Sequence, residues 1–188
     1  MCPVDAPLET ARLILRPFTT ADADHLVALH NDAEVMRHLN GGKPVPRERI
    51  VGETLPRFVR GDFHAAVEKA SGDFLGWFHL RPAEGGPADE LELGYRLHRA
   101  AWGKGYATEG SLALIDRAFG ELGARRVFAQ TMAVNLRSRR VMEKCGMRLV
   151  RTFHEDWPDP IEGSDQGEVE YELLPNHPRP GHPHPVPA

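Results

Sequence analysis

Two glycines separated by one residue mark the stretch of this chain whose residue types best suit anion binding. Gly103 and Gly105 lie within residues 102–109, between a strand-like run at 91–97 and a helix-like run at 107–122. Glycine permits backbone conformations that a Cβ atom forbids, and the start of a helix offers free N–H groups and a positive dipole end. The stretch therefore predicts a turn that binds an anion, above all a phosphate or pyrophosphate.

The common phosphate-binding motifs fit this turn poorly. A P-loop needs Ser or Thr after its Gly-Lys pair, and here Gly105 follows Lys104. A dinucleotide-binding fingerprint needs a third glycine where Thr108 stands, and it belongs in the first βα unit of a chain. A tight strand-to-helix turn without any ligand stays open as a third alternative.

A second stretch with chemical potential is a helix-like run that begins at Asn135. Arg137, Arg139 and Arg140 fall in its first two turns, where the helix dipole disfavours cations. A bound anion would resolve that conflict. The alternative is that these arginines face solvent or pair with Glu143.

The elements that must position these two stretches indicate a mixed α/β (α+β) fold. Strand-like runs cover residues 12–18, 63–70, 74–80, 90–97, 126–131, 148–153 and 168–174. Helical spacing covers residues 20–30, 33–39, 46–59, 107–122 and 135–144. The crossover from 90–97 to 126–131 contains a helix, as a parallel strand pair requires. We therefore expect a mostly antiparallel central sheet of about seven strands, flanked by about four helices.

Composition limits the remaining classes of function. The chain has 188 residues, a formal charge of −4 and two cysteines. The length favours one domain, and the low number of cysteines favours the cytoplasm. The negative charge gives no electrostatic reason to expect nucleic-acid binding. No apolar run is long enough to span a membrane. We place the domain at residues 8–175 and expect residues 176–188, rich in Pro and His, to be a disordered tail. No metal site is predicted. The sequence is compatible with a homodimer but does not fix the oligomeric state.

Two motifs in the predicted order resemble those of a known enzyme family. Residues 94–97 (Gly-Tyr-Arg-Leu) followed by 102–109 (Trp-Gly-Lys-Gly-Tyr-Ala-Thr-Glu) resemble the acetyl-CoA-binding signature of the GNAT N-acetyltransferases. Residues 135–147 resemble that family's second signature, and residues 12–17 resemble the branch that includes the ribosomal-protein N-terminal acetyltransferases. One departure is Trp102, which stands where many members have Gln or Arg. It puts a direct side-chain contact to phosphate in doubt.

The resemblance implies an acetyl-CoA-dependent N-acetyltransferase that transfers acetyl to a primary amine by direct attack. The acceptor would be a protein N-terminus or a small-molecule amine. Backbone amides of residues 103–108 would hold the pyrophosphate, and a main-chain N–H near Leu97 would polarise the thioester carbonyl. The implied CoA-binding residues are Tyr95, Leu97, Trp102, Gly103, Lys104, Gly105, Tyr106, Ala107, Thr108, Asn135, Ser138 and Arg140. A CoA-binding module without catalysis is the alternative function.

Candidate catalytic residues follow from the same comparison, each with a structural alternative. The Ser138 hydroxyl would protonate the departing thiolate, or it caps the helix. Glu92 would be the general base if burial raises its pKa, or it is an exposed strand glutamate. His79 and His64, on neighbouring strands, are further base candidates. By residue type, Asn135 is an N-cap, and in the family this position also hydrogen-bonds the pantetheine arm.

The acceptor side offers one compositional signal. Residues 152–170 contain no Lys or Arg, and the loop there carries the acidic residues Glu155, Asp156, Asp159, Glu162, Asp165 and Glu168. An acidic wall would attract a cationic amine, whereas a solvated acidic loop needs no ligand. Trp157 would either stack on the acceptor or pin the loop to the core.

Overall fold

Eight strands form one sheet within residues 6–177, the part of the chain that the computed structural model describes. The sheet order is β1-β2-β3-β4-β5-β6-β8-β7. The strands are β1 (Leu8–Glu9), β2 (Leu13–Pro17), β3 (Phe63–Glu68), β4 (Phe74–Pro82), β5 (Glu90–Leu97), β6 (Arg126–Met132), β7 (Arg148–Phe153) and β8 (Glu168–Leu173).

Strand pairing confirms the predicted mostly antiparallel sheet with one parallel pair. Strands β5 and β6 run parallel, with Glu90, Leu91 and Glu92 opposite residues 126–128. The other registered pairs are antiparallel. The count of eight strands exceeds the expected seven because β1 has only two residues, too few for a recognisable alternation.

The described helices are α1 (Ala23–His30), α2 (Ala33–Asn40), α3 (Arg47–Arg49), α4 (Leu55–Arg60), α5 (Tyr106–Gly120) and α6 (Leu136–Lys144). A π-helical turn, Ile50–Thr54, joins α3 to α4, so the two run on as a single irregular helix. Pro56 explains the irregularity, because proline has no N–H to donate to the preceding turn. Counted this way, the described residues have five helical runs instead of about four.

Residues 6–80 with 95–113 form one compact unit. Its core is rich in aromatic rings, and Phe58 stacks on Phe63 with ring centroids 3.9 Å apart. Arg16 and Asp22 form an ion pair of 2.7 Å beside this core, and Asp22 also accepts the Thr19 N–H. The buried residues of the cluster are Phe18, Leu26, Leu29, Val35, Ile50, Leu55, Phe58, Phe63, Ala65 and Trp77.

Residues 81–94 with 114–177 form a second compact unit. Its strands are tied by Arg126, whose guanidinium donates to Glu90, Glu170 and Glu172 at 3.2, 2.6 and 2.7 Å. Burial alone would raise the pKa of Glu170, but hydrogen bonds from neighbouring side chains lower this pKa to about 2. The buried apolar residues of this unit include Leu114, Ile115, Val127, Ala129, Met132 and Leu173. The predicted disordered tail falls mostly on residues 178–188, which lie outside the described residues.

One glycine sets how closely the start of α5 approaches β4. A Cβ atom at Gly110 would lie 2.5 Å from Cζ of Phe78, a fully buried ring. Sequence reasoning missed Gly110 as the point of this close approach. Close contact at this position places the first turn of α5 firmly on the strand.

We expect Gly110→Ala to lower the free energy of unfolding by about 1–2 kcal/mol, because the overlap with Phe78 outweighs the better helix propensity of alanine. Chemical denaturation measures the change. Gly120→Ala is the matched control on the same helix, since a Cβ there meets no atom within 4 Å. Equal stability of the two variants would contradict the close approach.

Candidate functional site

The glycine turn has the conformation that its sequence predicts. Gly103 and Gly105 have φ angles of 72° and 85°, in the left-handed region that favours glycine. Helix α5 begins at Tyr106, and the Glu109 N–H donates to the Gly105 carbonyl at 2.9 Å. The first N–H groups of a helix have no acceptor within it, and residues 103–105 are exposed. The turn therefore presents backbone donors at a positive helix end, as an anion site requires.

A network of hydrogen bonds, unforeseen from the sequence, braces this turn. The Glu109 carboxylate accepts hydrogen bonds from Thr10 Oγ1 at 2.6 Å, from the Arg12 backbone N–H at 2.7 Å and from Arg12 Nε at 2.7 Å. Arg12 Nη1 donates to the Lys104 carbonyl at 3.0 Å. Burial raises the pKa of Glu109, but these donors outweigh burial and lower it. One carboxylate and one guanidinium thus fix the turn and the start of α5 together.

Tyr106 anchors the first residue of α5 from another side. Its hydroxyl donates to Glu68, which also accepts from Ser71 Oγ at 2.8 Å. The hydrogen bond to Glu68 raises the pKa of Tyr106. The Arg12 guanidinium lies 4.4 Å from the centre of the Tyr106 ring. With its side chain held by these partners, Tyr106 offers a ligand its backbone N–H.

Trp102 anchors the beginning of the turn. Its indole Nε1 donates to the Leu97 carbonyl at 2.8 Å, and its ring packs against the aromatic core cluster. The indole thus ties the turn to the end of β5, and a side-chain contact from Trp102 to phosphate gains no support. Tyr95, two residues before Leu97, sets its ring against Phe78 at 6.0 Å between centroids.

In the second unit, Asn135 caps α6 as its residue type predicts. Its Oδ1 accepts the Ser138 N–H at 3.3 Å, and its Nδ2 donates to Thr131 Oγ1 at 3.1 Å. Both ends of the Asn135 amide therefore have partners. Ser138 lies at the third position of the helix and is half-buried.

The arginines of α6 have different surroundings. Arg139 donates to the Tyr171 hydroxyl at 3.1 Å and to the Ala133 carbonyl at 3.0 Å, and Tyr171 in turn donates to Glu143 at 2.9 Å. Arg139 therefore stabilises its own unit. Arg140 is exposed and stays a predicted CoA contact.

The candidate bases lie in dissimilar environments. Glu92 is half-buried, and burial raises its pKa, opposed by Arg81, whose Nη2 lies 3.8 Å from Glu92 Oε2. His79 is buried, with its ring stacked on Trp77 at 5.7 Å between centroids. His64 is half-buried on β3. A raised pKa in a carboxylate suits a general base, so Glu92 remains the better candidate.

The acidic loop is held by Trp157. The Trp157 side chain hydrogen-bonds the carboxylate of Glu168, which is only 7% exposed. Burial and the neighbouring Glu155 raise the pKa of Glu168, while the bond from Trp157 lowers it. This bond favours the pinning alternative for Trp157, and the stacking alternative stays a prediction.

Residues 6–177 contain no group of three or more His, Cys, Asp or Glu side chains arranged to hold a metal ion. No helix in the same range has the length and apolar character needed to cross a membrane.

Comparison with known proteins identifies the family. Residues 12–148 match the family model described as the acetyltransferase (GNAT) domain. The chain is 34% identical over 177 residues to the FsC-acetyl coenzyme A-N(2)-transacetylase of Aspergillus fumigatus, covering 88% of this chain and 75% of that protein. This chain belongs to the GNAT acetyltransferase family, and the predicted resemblance is confirmed at that level.

Solved structures share the fold. A GNAT-family acetyltransferase from Bacillus anthracis superimposes with a TM-score of 0.78 at 22% identity, over 90% of this chain and 98% of that one. A spermidine N-acetyltransferase from Vibrio cholerae, crystallised with CoA and spermine, gives 0.69 at 14% identity, over 86% and 95%. The narrower resemblance to the ribosomal-protein branch stays a prediction, as do the individual CoA contacts.

We expect Glu109→Gln to lower the free energy of unfolding by about 2 kcal/mol at pH 7, because hydrogen bonds to a charged acceptor are lost. Folding lowers the pKa of this carboxyl from 4.5. The stabilisation of the folded state by Glu109 is therefore fully present above pH 4.5 and is lost progressively as the pH falls below that value. The deficit of the variant should shrink in acid. Denaturation at pH 7 and at about pH 3 measures it.

Glu121→Gln is the matched control, at the residue that directly follows α5. The Glu121 side chain is 67% exposed, and its Oε2 lies 3.6 Å from Arg117 Nε. Removing this charge should therefore change the free energy of unfolding by less than about 0.5 kcal/mol. A Glu109 variant as stable as this control would show that the brace contributes little.

Proposed function

We propose that this protein transfers an acetyl group from acetyl-CoA to a primary amine by direct attack of the amine on the thioester. The observation that carries the proposal is the braced turn before α5. Gly103 and Gly105 hold left-handed conformations there, and their exposed backbone precedes the positive end of a 15-residue helix. Family membership and a CoA-containing neighbour of the same fold support acetyl-CoA as the donor.

The donor would bind mainly through main-chain groups. Backbone N–H groups of residues 103–108 would hold the pyrophosphate, and the exposed Lys104 would add positive charge. The Leu97 N–H, at the end of β5, would polarise the thioester carbonyl. The remaining proposed CoA contacts rest on the family signatures alone: Tyr95, Trp102, Asn135, Ser138 and Arg140.

The chemistry needs protons to be moved at both the amine and the thiol. The acceptor ammonium loses a proton to a base, for which Glu92 is proposed because burial raises its pKa. The free amine then attacks the carbonyl carbon and forms a C–N bond, while the negative charge develops on the oxygen beside the Leu97 N–H. As the C–S bond breaks, the thiolate takes a proton from the Ser138 hydroxyl, and the Ser138 oxygen is reprotonated by the second proton that the nitrogen loses. Glu92 returns its proton to solvent, and acetylated amine and free CoA result.

Nitrogen acceptors are supported by the names of two relatives. One acetylates an N(2) position of FsC and the other acetylates spermidine. We therefore favour a small-molecule amine as the acceptor. A protein N-terminus is the other acceptor class, which the motif at residues 12–17 suggests.

Release of free thiol from acetyl-CoA tests the proposal. Purified protein should release thiol with at least one member of a panel of peptides, polyamines and amino acids. CoA binding without release across the panel would favour a catalytically silent binding module. Binding of NAD or ATP in place of CoA would overturn the donor assignment.

We expect Gly105→Glu to abolish CoA binding, because it places bulk and negative charge at the proposed phosphate site. Calorimetric titration with CoA measures affinity, and circular dichroism checks the fold. Gly72→Glu is the matched control, since Gly72 has a similar φ of 77° and lies in the β3–β4 turn with no atom within 4 Å of a built Cβ. A folded Gly105 variant with unchanged affinity would contradict the site.

Ser138→Ala should lower kcat by more than it weakens CoA binding, because the main role of the hydroxyl is to protonate the departing thiolate. Steady-state kinetics and CoA titration measure the two effects. Equal loss of turnover and affinity would indicate a structural role.

Glu92→Gln should lower kcat/KM most strongly above the pKa of the Glu92 carboxyl, where the wild-type base is ionised. Steady-state kinetics against pH measure the effect.

A further inference from the structure

Arg96 carries a partly buried positive charge with an unusual set of partners. Its Nη1 lies 3.0 Å from Nε2 of His30, and its guanidinium lies 5.0 Å from the centre of the Trp77 ring. A guanidinium only donates hydrogen bonds, so the His30 nitrogen accepts and the His30 proton resides on Nδ1. Burial, Arg96 and Arg57 lower the pKa of His30 to about 3, which keeps the ring neutral.

No carboxylate within residues 6–177 forms an ion pair with Arg96. The charged group that acts on it electrostatically is a second arginine, Arg57, whose guanidinium lies 5.5 Å from the centre of the Phe63 ring. Burial, followed by repulsion from Arg57, lowers the pKa of Arg96 to about 10, so it remains charged at neutral pH. A cation removed from water is costly unless a counter-charge compensates it, and contact with an aromatic face recovers only part of that cost.

The position of Arg96 in β5 connects this charge with the reaction. Side chains alternate along a strand, so Arg96 faces away from its neighbours Tyr95 and Leu97. It points to the layer formed by α1 and α4, where His30 and Phe58 are buried. Arg96 directly precedes Leu97 in β5, and the Leu97 N–H is proposed to hold the thioester carbonyl. An anion bound by Arg96 would therefore be held one position along the strand from that N–H.

We propose that Arg96, assisted by Arg57, binds a carboxylate carried by the amine acceptor, so that the acceptor is a small molecule of the amino-acid type. An α-amino acid has its amine and its carboxylate on one carbon, so a carboxylate held at Arg96 keeps the amine close to Leu97. The planar fork of the guanidinium matches a carboxylate, and the exposed Arg57 adds attraction. This inference rests on the proposed acetyl transfer, since it names the class of acceptor.

Matched sets of acceptors test the assignment. Alanine, lysine and phenylalanine are each compared with their carboxamides and with their decarboxylated amines, and thiol release gives kcat/KM. We expect at least one amino acid to exceed both of its analogues by about ten- to hundredfold, the effect of a charge-assisted hydrogen bond. Arg96→Gln should abolish that preference, and Arg96→Lys should retain part of it.

Arg60→Gln is the control, because Arg60 is an exposed arginine on the same helix as Arg57. This variant should retain the full preference. Thiol release without a carboxylate preference in any set, or a preference that survives Arg96→Gln in folded protein, would overturn the carboxylate site and leave the proposed function intact.

A binding measurement separates failure of this inference from failure of the proposed function. Trp77 lies under Arg96, so a bound carboxylate should change the part of the tryptophan emission that is lost in Trp77→Phe. The same amino acids, and inorganic phosphate as a free anion, are titrated up to about 50 mM in the presence of CoA. A response to amino acids but not to carboxamides, absent in Arg96→Gln, supports the site even if no amine is acetylated.

Two outcomes of the titration would contradict the site. Absence of any response to all three amino acids would overturn it. If inorganic phosphate alters the tryptophan emission, and amino acids alter it no more than their carboxamides do, the site binds free anions. That result would overturn the acceptor assignment.

Discussion

The carboxylate of Glu109 is the group on which the rest of the proposed donor site depends. It lies in the first turn of α5, where negative charge is favoured by the helix dipole but would also repel a bound phosphate. Arg12 resolves this opposition, since its guanidinium pairs with Glu109 at 2.7 Å and holds the Lys104 carbonyl at 3.0 Å. The pair is electrically neutral, so the backbone N–H groups of the turn keep their attraction for an anion.

Around this pair, the turn is fixed at both ends and exposed at its tip. Trp102 ties the entry to β5 through the Leu97 carbonyl, and Tyr106 ties the exit to Glu68. Gly103 and Gly105 between them are exposed and carry no side chain that would block a ligand. A turn ordered before binding loses less entropy when a ligand arrives, which favours affinity. The side chains of the signature thus serve largely to shape the backbone.

Local features were predictable from the sequence, and long-range pairs were not. The glycine turn and the Asn135 cap follow from residue types within a few positions of one another, and the parallel β5–β6 pair follows from the helix in the crossover between the two strands. The Arg12–Glu109 pair joins residues 97 positions apart, and the Arg96–His30 contact joins residues 66 positions apart. No periodicity relates such partners, so folding alone brings them together. For the same reason, nothing in the sequence distinguished Arg96 from the other residues of its motif.

The most direct test of the account is an NMR titration of the backbone amides with CoA. We expect the largest shifts to fall on residues 103–108 and to persist when acetyl-CoA replaces CoA, because the pyrophosphate is common to both. Pantetheine, which lacks the pyrophosphate, should leave these amides nearly unchanged. Shifts concentrated elsewhere in the chain, with residues 103–108 silent at saturation, would contradict the central claim that this turn binds the donor.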